Sequence, residues 1–321
     1  MANVPITLGA GLTDRLVGIA TREIRPDGID LDFVIEDSPR KIFDRMAGPN
    51  PFDASEMSFS EFITRIDAGD RSLVGIPVFT SRMFRHSYIA VNRTSVAKPA
   101  DLRGKRIGIP IYTTTAAVYM RALLQHDYGV GFSDVDWVTG DMEKPGGHAP
   151  VSALHKPVRI ERNAAEKSLS QLLAENEIQA IMSPTLPSVL GQHPDVVRLF
   201  PNYPEVEAEY YKRTGIFPIM HLIALRREVH EKHPHVAESL YNACRAAKDL
   251  GLKRMYSSGT TPYMLPWMSR DLSEIDTVFG SDLWPYGTEK NRPTLDAFAT
   301  YLTEQGMTRQ TVAFEELFVI A

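Results

Sequence analysis

The sequence predicts an α/β protein of two Rossmann-like lobes with a central cleft. Three observations carry this. Short apolar strands alternate with amphipathic helices from the first residues, a polar stretch interrupts the alternation once, and the alternation then restarts. At 321 residues the chain has room for two ordinary domains. Hydrophobic residues at 43% and charged residues at 23% are near globular averages, which excludes disordered and fibrous classes. Lys and Arg number 35 against 40 Asp and Glu, a net charge of −5, so the chain lacks the basic excess of a nucleic-acid binder. Cys244 stands alone, which excludes an internal disulfide and a cysteine-based zinc cluster. No apolar run approaches the ~18–20 residues of a membrane helix, and no secretory leader opens the sequence. The expectation is a cytoplasmic protein with no nucleic-acid or membrane partner, its oligomeric state left open.

Ile6–Gly9 reads as the first strand, and Leu12, Leu16, Ile19 and Ala20 follow at helical spacing. Alternation over Ile29, Leu31, Phe33 and Ile35 marks a half-buried strand. Ser38-Pro39 and Gly48 bracket a helix. Ser58-Phe59-Ser60-Glu61 matches a capping box for the next, which Gly69 can end. Leu73–Phe79 and Tyr88–Val91 are further strands, and this order implies a largely parallel sheet.

Asn92-Arg93-Thr94-Ser95-Val96-Ala97-Lys98-Pro99 is the interruption. Beyond it come a strand at Arg106–Ile109, a helix over Thr114–His126 closed near Gly129, a strand at Val135–Val138, and a helix over Ser168–Glu175 leading into Ala180–Met182. The stretch Asp141–Asn163, with Pro145-Gly146-Gly147-His148, has no period and reads as a loop or lid. Phe217–Leu225 is a strongly apolar strand expected to return beside Tyr88–Val91, and Pro234–Leu250 is a long helix with Gly251 behind it. The first lobe is therefore expected over residues 1–93 plus 217–321, and the second over 94–216.

Asp101-Leu102-Arg103-Gly104-Lys105-Arg106-Ile107-Gly108-Ile109-Pro110, followed by Thr113-Thr114-Thr115-Ala116, resembles the opening of the second lobe in type 2 periplasmic binding proteins. A tighter resemblance is to the 4,5-dihydroxyphthalate decarboxylases, enzymes on a type 2 periplasmic-binding-protein-like fold. It lies in Glu56-Met57-Ser58-Phe59-Ser60, in Ile76-Pro77-Val78-Phe79-Thr80-Ser81-Arg82-Met83-Phe84-Arg85-His86-Ser87, and in Gly215-Ile216-Phe217-Pro218-Ile219-Met220-His221. Trp284-Pro285-Tyr286-Gly287 with Asn291-Arg292 extends it. Ile111 and Thr113 stand where the family pattern carries an acidic residue and a glutamine. The resemblance implies cofactor-independent decarboxylation of 4,5-dihydroxyphthalate, or a close dihydroxylated aromatic acid, to 3,4-dihydroxybenzoate and CO2. The alternatives are a solute-binding protein for transport or sensing, and another enzyme on the same scaffold.

Such a reaction needs a proton donor, an acceptor for a phenolic proton, and clamps for a dianion. His86 is the first choice of donor, between Arg82 and Arg85 as carboxylate clamps and the strand beyond. His221 is either a satisfied core histidine or a second catalytic imidazole, and Glu56 either accepts the phenolic proton or is a solvated acid. Ser58 and the helix-opening Thr113, Thr114 and Thr115 are expected against ligand oxygens. Trp284 and Tyr286 either stack on the ring or pack in the core. His230, His233 and His235 read as a solvated helix start, so no metal site is expected. Gly9-Ala10-Gly11-Leu12-Thr13-Asp14 lacks the third glycine of a dinucleotide fingerprint and reads as a helix-opening turn.

Overall fold

Val4–Ala10, whose last residues are fully buried, forms β1 of a computed structural model that describes residues 3–49, 51–146, 154–164, 166–259 and 261–320. Then come α1 (Val17–Ala20), β2 (Ile29–Ile35), α2 (Pro39–Met46), β3 (Ala54–Ser58), α3 (Phe59–Asp67) and β4 (Leu73–Arg82). The next stretch holds β5 (Ile89–Asn92), β6 (Arg106–Ile109), α4 (Thr115–Tyr128), β7 (Asp136–Thr139), β8 (Ile160–Arg162), α5 (Leu169–Ala174), β9 (Ala180–Met182), β10 (Val196–Arg198) and α6 (Tyr203–Thr214). The chain closes with β11 (Ile219–Arg226), α7 (Arg227–Lys232), α8 (His235–Met255), α9 (Met268–Phe279) and α10 (Arg292–Glu304).

These elements fall into two compact units. Unit 1 is Met1–Arg82, Ile219–Leu295 and Ala313–Ala321; unit 2 is Met83–Pro218 and Asp296–Val312. Residues 83–93, expected in the first lobe, lie in unit 2 because β5 pairs with β9 and β10. Residues 296–312 also belong there: Gln305 accepts from buried Arg121 at 2.7 Å, and Phe298 stacks on Tyr119.

The unit 1 sheet has the order β2-β1-β3-β11-β4. β1 pairs parallel with β2 and β3, whereas β11 runs antiparallel to β3 and β4. The expectation that β11 lies beside Tyr88–Val91 is thus corrected. An apolar strand such as Ile219–Arg226 suits a central position, and it inserts between two buried strands of its own sheet. The unit 2 sheet, β10-β5-β9-β6-β7-β8, is parallel from β9 to β8 and antiparallel at β5. Ala90, Val138, Leu169, Leu172, Leu173, Ile178, Ile181 and Val196 form a buried cluster against it.

Four local expectations change. The helix expected from Leu12 shrinks to α1, because Thr13 and Asp14 hold a turn: the Thr13 carbonyl accepts from Leu16 and Val17, and Asp14 accepts from the Arg15 N–H. Ser58 precedes α3 without a capping bond; its hydroxyl lies 3.3 Å from that of Ser60, and Glu61 turns to Arg40 and Arg65. α8 does not stop at Gly251, which lies inside it because a Cβ there would come within 2.5 Å of the Asp14 carbonyl. The expected lid contains β8 at its far end, paired to β7; its Gly147 and His148 lie outside the described residues. Among the described residues no helix is long and apolar enough to cross a membrane.

Candidate functional site

In unit 1, the turn after β1, the middle of β3 and the start of β11 converge on one hydrogen-bonded pair. Glu56 Oε1 lies 2.7 Å from His221 Nδ1, and the Gly11 N–H donates to Glu56 Oε2 at 3.3 Å. Antiparallel register sets His221 opposite Ser58 on β3 and Ser81 on β4. Phe43 meets the imidazole edge-on at 5.0 Å. Burial pushes the Glu56 carboxyl upward, but the hydrogen bond and charge of His221, the Gly11 N–H and the Thr80 hydroxyl outweigh it, and the group is held below its usual range. An ionised carboxylate only accepts, so the Nδ1 that faces it carries a proton. Glu56 is buried and the His221 side chain is 19% exposed, so the outer nitrogen of the pair is the reachable end. Ligands of open α/β sheets bind beyond the carboxyl ends of parallel strands, which is where β1 delivers Gly11.

β4 organises the surroundings. Trp284 donates its indole N–H to the Phe79 carbonyl at 2.7 Å, and Arg15 donates Nε–H to the Thr80 carbonyl at 2.6 Å. The Arg15 guanidinium lies over the Trp284 ring, 4.5 Å from its centroid. Arg15 was no sequence candidate. The glycine turn four residues before it is the signal the sequence offers.

Arg82 does not offer the clamp expected of it, and Tyr286 follows the second of its two readings, packing in the core. Arg82 is 4% exposed and donates to the Pro285 carbonyl at 2.8 Å and to the Asn291 side chain. It braces the 285–291 loop rather than presenting a clamp. Asn291 closes the same loop through the Pro285 and Gly287 carbonyls. Tyr286 packs inward with Lys248 near its ring, and burial raises its hydroxyl far above the ordinary phenol. Only Trp284 of the two aromatics remains partly open.

Arg85, His86 and Thr113–Thr115 belong to unit 2. His86 is 2% exposed, its ring set edge-on against Phe200 and Tyr210, and neither ring nitrogen has a hydrogen-bond partner among the described residues. Burial first, and Arg213 second, push its pKa from 6.5 down to about 4. A neutral imidazole at physiological pH is a poor proton donor, which weakens the expectation placed on His86. Its neighbour Glu207 accepts from the Ser87 N–H at 3.0 Å and from the Ser87 hydroxyl. Arg85 is buried against the Tyr88 ring and donates to the Pro184 carbonyl; desolvation lowers it to about 10. Thr114 caps α4 by accepting from the Ala117 N–H at 3.4 Å, while the Thr113 and Thr115 side chains are buried.

An open pocket of about 550 Å3 in unit 2 is lined by His86, Tyr128, Tyr210 and Arg213, but also by Asp127, Glu205 and Glu209. Three carboxylates make it a poor host for a dicarboxylate. Among the described residues no group of three or more His, Cys, Asp or Glu side chains is placed to hold a metal ion. His233 and His235 meet only edge to face.

No family model matches the chain. It is 33% identical to 4,5-dihydroxyphthalate decarboxylase of Comamonas testosteroni over 322 residues, covering 99% of this chain and 97% of the relative. Identity to 4,5-dihydroxyphthalate decarboxylase of Pseudomonas putida is 34% over 215 residues, 66% of this chain and 83% of that relative. Among solved structures, the periplasmic aliphatic sulphonate binding protein SsuA from Escherichia coli superposes with a TM-score of 0.52 at 12% identity, covering 99% of this chain and 92% of that one. A putative periplasmic sulfonate-binding protein SsuA from Methylobacillus flagellatus KT gives the same score at 13% identity, with the same coverage. The fold is of the periplasmic-binding-protein type.

Proposed function

The chain belongs to the 4,5-dihydroxyphthalate decarboxylase family, and from that membership we propose that its Glu56–His221 pair moves the proton during decarboxylation. The protein is a carboxy-lyase: it takes a small aromatic carboxylate, 4,5-dihydroxyphthalate, and releases CO2 to leave 3,4-dihydroxybenzoate.

In this substrate each carboxylate lies para to a hydroxyl. His221 Nε2 accepts the phenolic proton, and ionised Glu56 stabilises the imidazolium that forms. The phenolate pushes electron density to the ring carbon bearing the carboxylate. Protonation there gives a dienone, the carbon–carboxylate bond breaks, and the bond pair restores the aromatic ring. One proton is consumed per CO2 released, drawn through the imidazolium and made good from water. Because the ring itself accepts the electrons, these steps call for no organic cofactor.

The observation that supports this reading is the 2.7 Å contact between Glu56 Oε1 and His221 Nδ1. Product formation measured by chromatography tests the central claim. His221→Asn and Glu56→Gln are each expected to lower kcat by about 10²–10⁴-fold while KM changes little. Near-normal turnover in His221→Asn would remove the pair from the chemistry.

A further inference from the structure

We infer that Arg15, carried on the turn after β1 and laid over Trp284, binds the carboxylate that stays on the ring. The inference rests on the reading of Glu56–His221 as the proton-handling pair. Three consecutive residues of β4 set the geometry. The Phe79 carbonyl fixes Trp284, the Thr80 carbonyl fixes Arg15, and Ser81 is the register partner of His221. Cation, aromatic face and imidazole are therefore fastened to one strand at adjacent positions. A benzene ring with a carboxylate at one end and a hydroxyl at the other carries the matching groups: an anion for the cation, a face for the aromatic and a proton for the imidazole.

The guanidinium is built to receive an anion. Its Nε is held by Thr80 at 2.6 Å and its Nη1 by Asp14 at 2.8 Å, which leaves Nη2 without a partner among the described residues. Its side chain is 19% exposed. Two pinned nitrogens remove most of the side-chain entropy that a carboxylate would otherwise have to overcome. Asp14 weakens the field of the cation but leaves Nη2 open. Arg82 is committed to Pro285 and Asn291, and Arg40 to Glu61 and Asp44, so neither offers the same free edge.

The choice of carboxylate follows from charge flow. A cation on the departing group would hold negative charge where the reaction must remove it, stabilising substrate over transition state. A cation on the retained group costs nothing at that step, and the product keeps the contact.

Calorimetric titration of wild type, Arg15→Lys and Arg15→Gln with 3,4-dihydroxybenzoate and with catechol tests this. Arg15→Gln is expected to weaken 3,4-dihydroxybenzoate by about tenfold or more and catechol by less than about twofold, with Arg15→Lys between. Equal weakening of both ligands, or of neither, overturns the assignment. If Arg15→Gln fails to fold, Arg15→Lys carries the comparison, a selective loss supporting the assignment and an equal one overturning it. The titration needs no turnover, so its failure leaves the proton-handling pair standing, whereas an active His221→Asn sinks the pair and leaves these affinities unaffected.

Discussion

His86 and His221 show how much of a histidine's chemistry lies in its surroundings. His221 sits in an apolar strand and His86 beside Arg85; the first contacts a carboxylate at hydrogen-bond distance, whereas the second is enclosed by Phe200 and Tyr210 with no hydrogen-bond partner for its ring among the described residues. Their difference was invisible in the sequence, because the partner of His221 is 165 residues away and the wall around His86 comes from the segment 200–210. A consequence concerns stability. His86 titrates near 6.5 in the unfolded chain and at about 4 in the folded one, with Glu207, Arg85 and Arg213 as its charged neighbours. Between those values the unfolded chain binds the proton and the folded chain does not. Stability from this residue is therefore complete above pH 6.5 and falls as the pH drops toward 4, by about 3 kcal/mol in all. Denaturant melts of wild type and His86→Leu at pH 7, 5.5 and 4 are expected to show a shallower acid loss in the variant. Parallel curves would mean that the imidazole is not held neutral.

At the scale of elements, most strands and helices were legible because period and punctuation agree. Gly129 at φ 64 closes α4 where a C-terminal glycine was expected, and Ser168 with Gln171 forms a true capping box on α5. Gly251 was misread for a physical reason: a glycine near a helix end signals a stop, but this one is there for close approach. Replacing a glycine inside a helix by alanine ordinarily stabilises by about 1 kcal/mol. Here the sign should reverse, since the new Cβ would press on the Asp14 carbonyl at 2.5 Å and on its carbon at 3.1 Å. Gly251→Ala is expected to cost about 1–3 kcal/mol. Because Asp14 orients Arg15, the same change should also weaken binding of 3,4-dihydroxybenzoate. A variant melting above wild type would contradict the close contact.

For the molecule as a whole, the alternation of strands and helices foretold two sheets, but not which terminal residues serve which. Pattern reports periodicity along the chain, and long-range pairing leaves no mark on it. Buried Arg121 illustrates the point: among the described residues it has no acid partner, it lies 3.7 Å from the Tyr112 ring centroid, and Gln305 and the Tyr112 carbonyl accept from it. Unit 2 thus depends on residues that come after unit 1 has nearly ended. A chain ending at residue 295 would leave Arg121 without Gln305 and Met307, with the Tyr112 carbonyl still accepting from it, and Tyr119 without Phe298. Such a truncation is expected to lose the cooperative thermal transition followed by circular dichroism. A sharp melt near that of the full chain would show that residues 296–312 are dispensable.

β4 joins its sheet through β11. Its ten residues leave the ribosome long before their partner, and at ~5–20 residues per second the wait lasts roughly seven to thirty seconds. Throughout that interval Leu73–Arg82 is a nascent apolar ribbon with an open hydrogen-bonding edge, the kind of segment a chaperone shields. The strand that ends up fastening Trp284 and Arg15 is thus among the last of its sheet to find its place during synthesis.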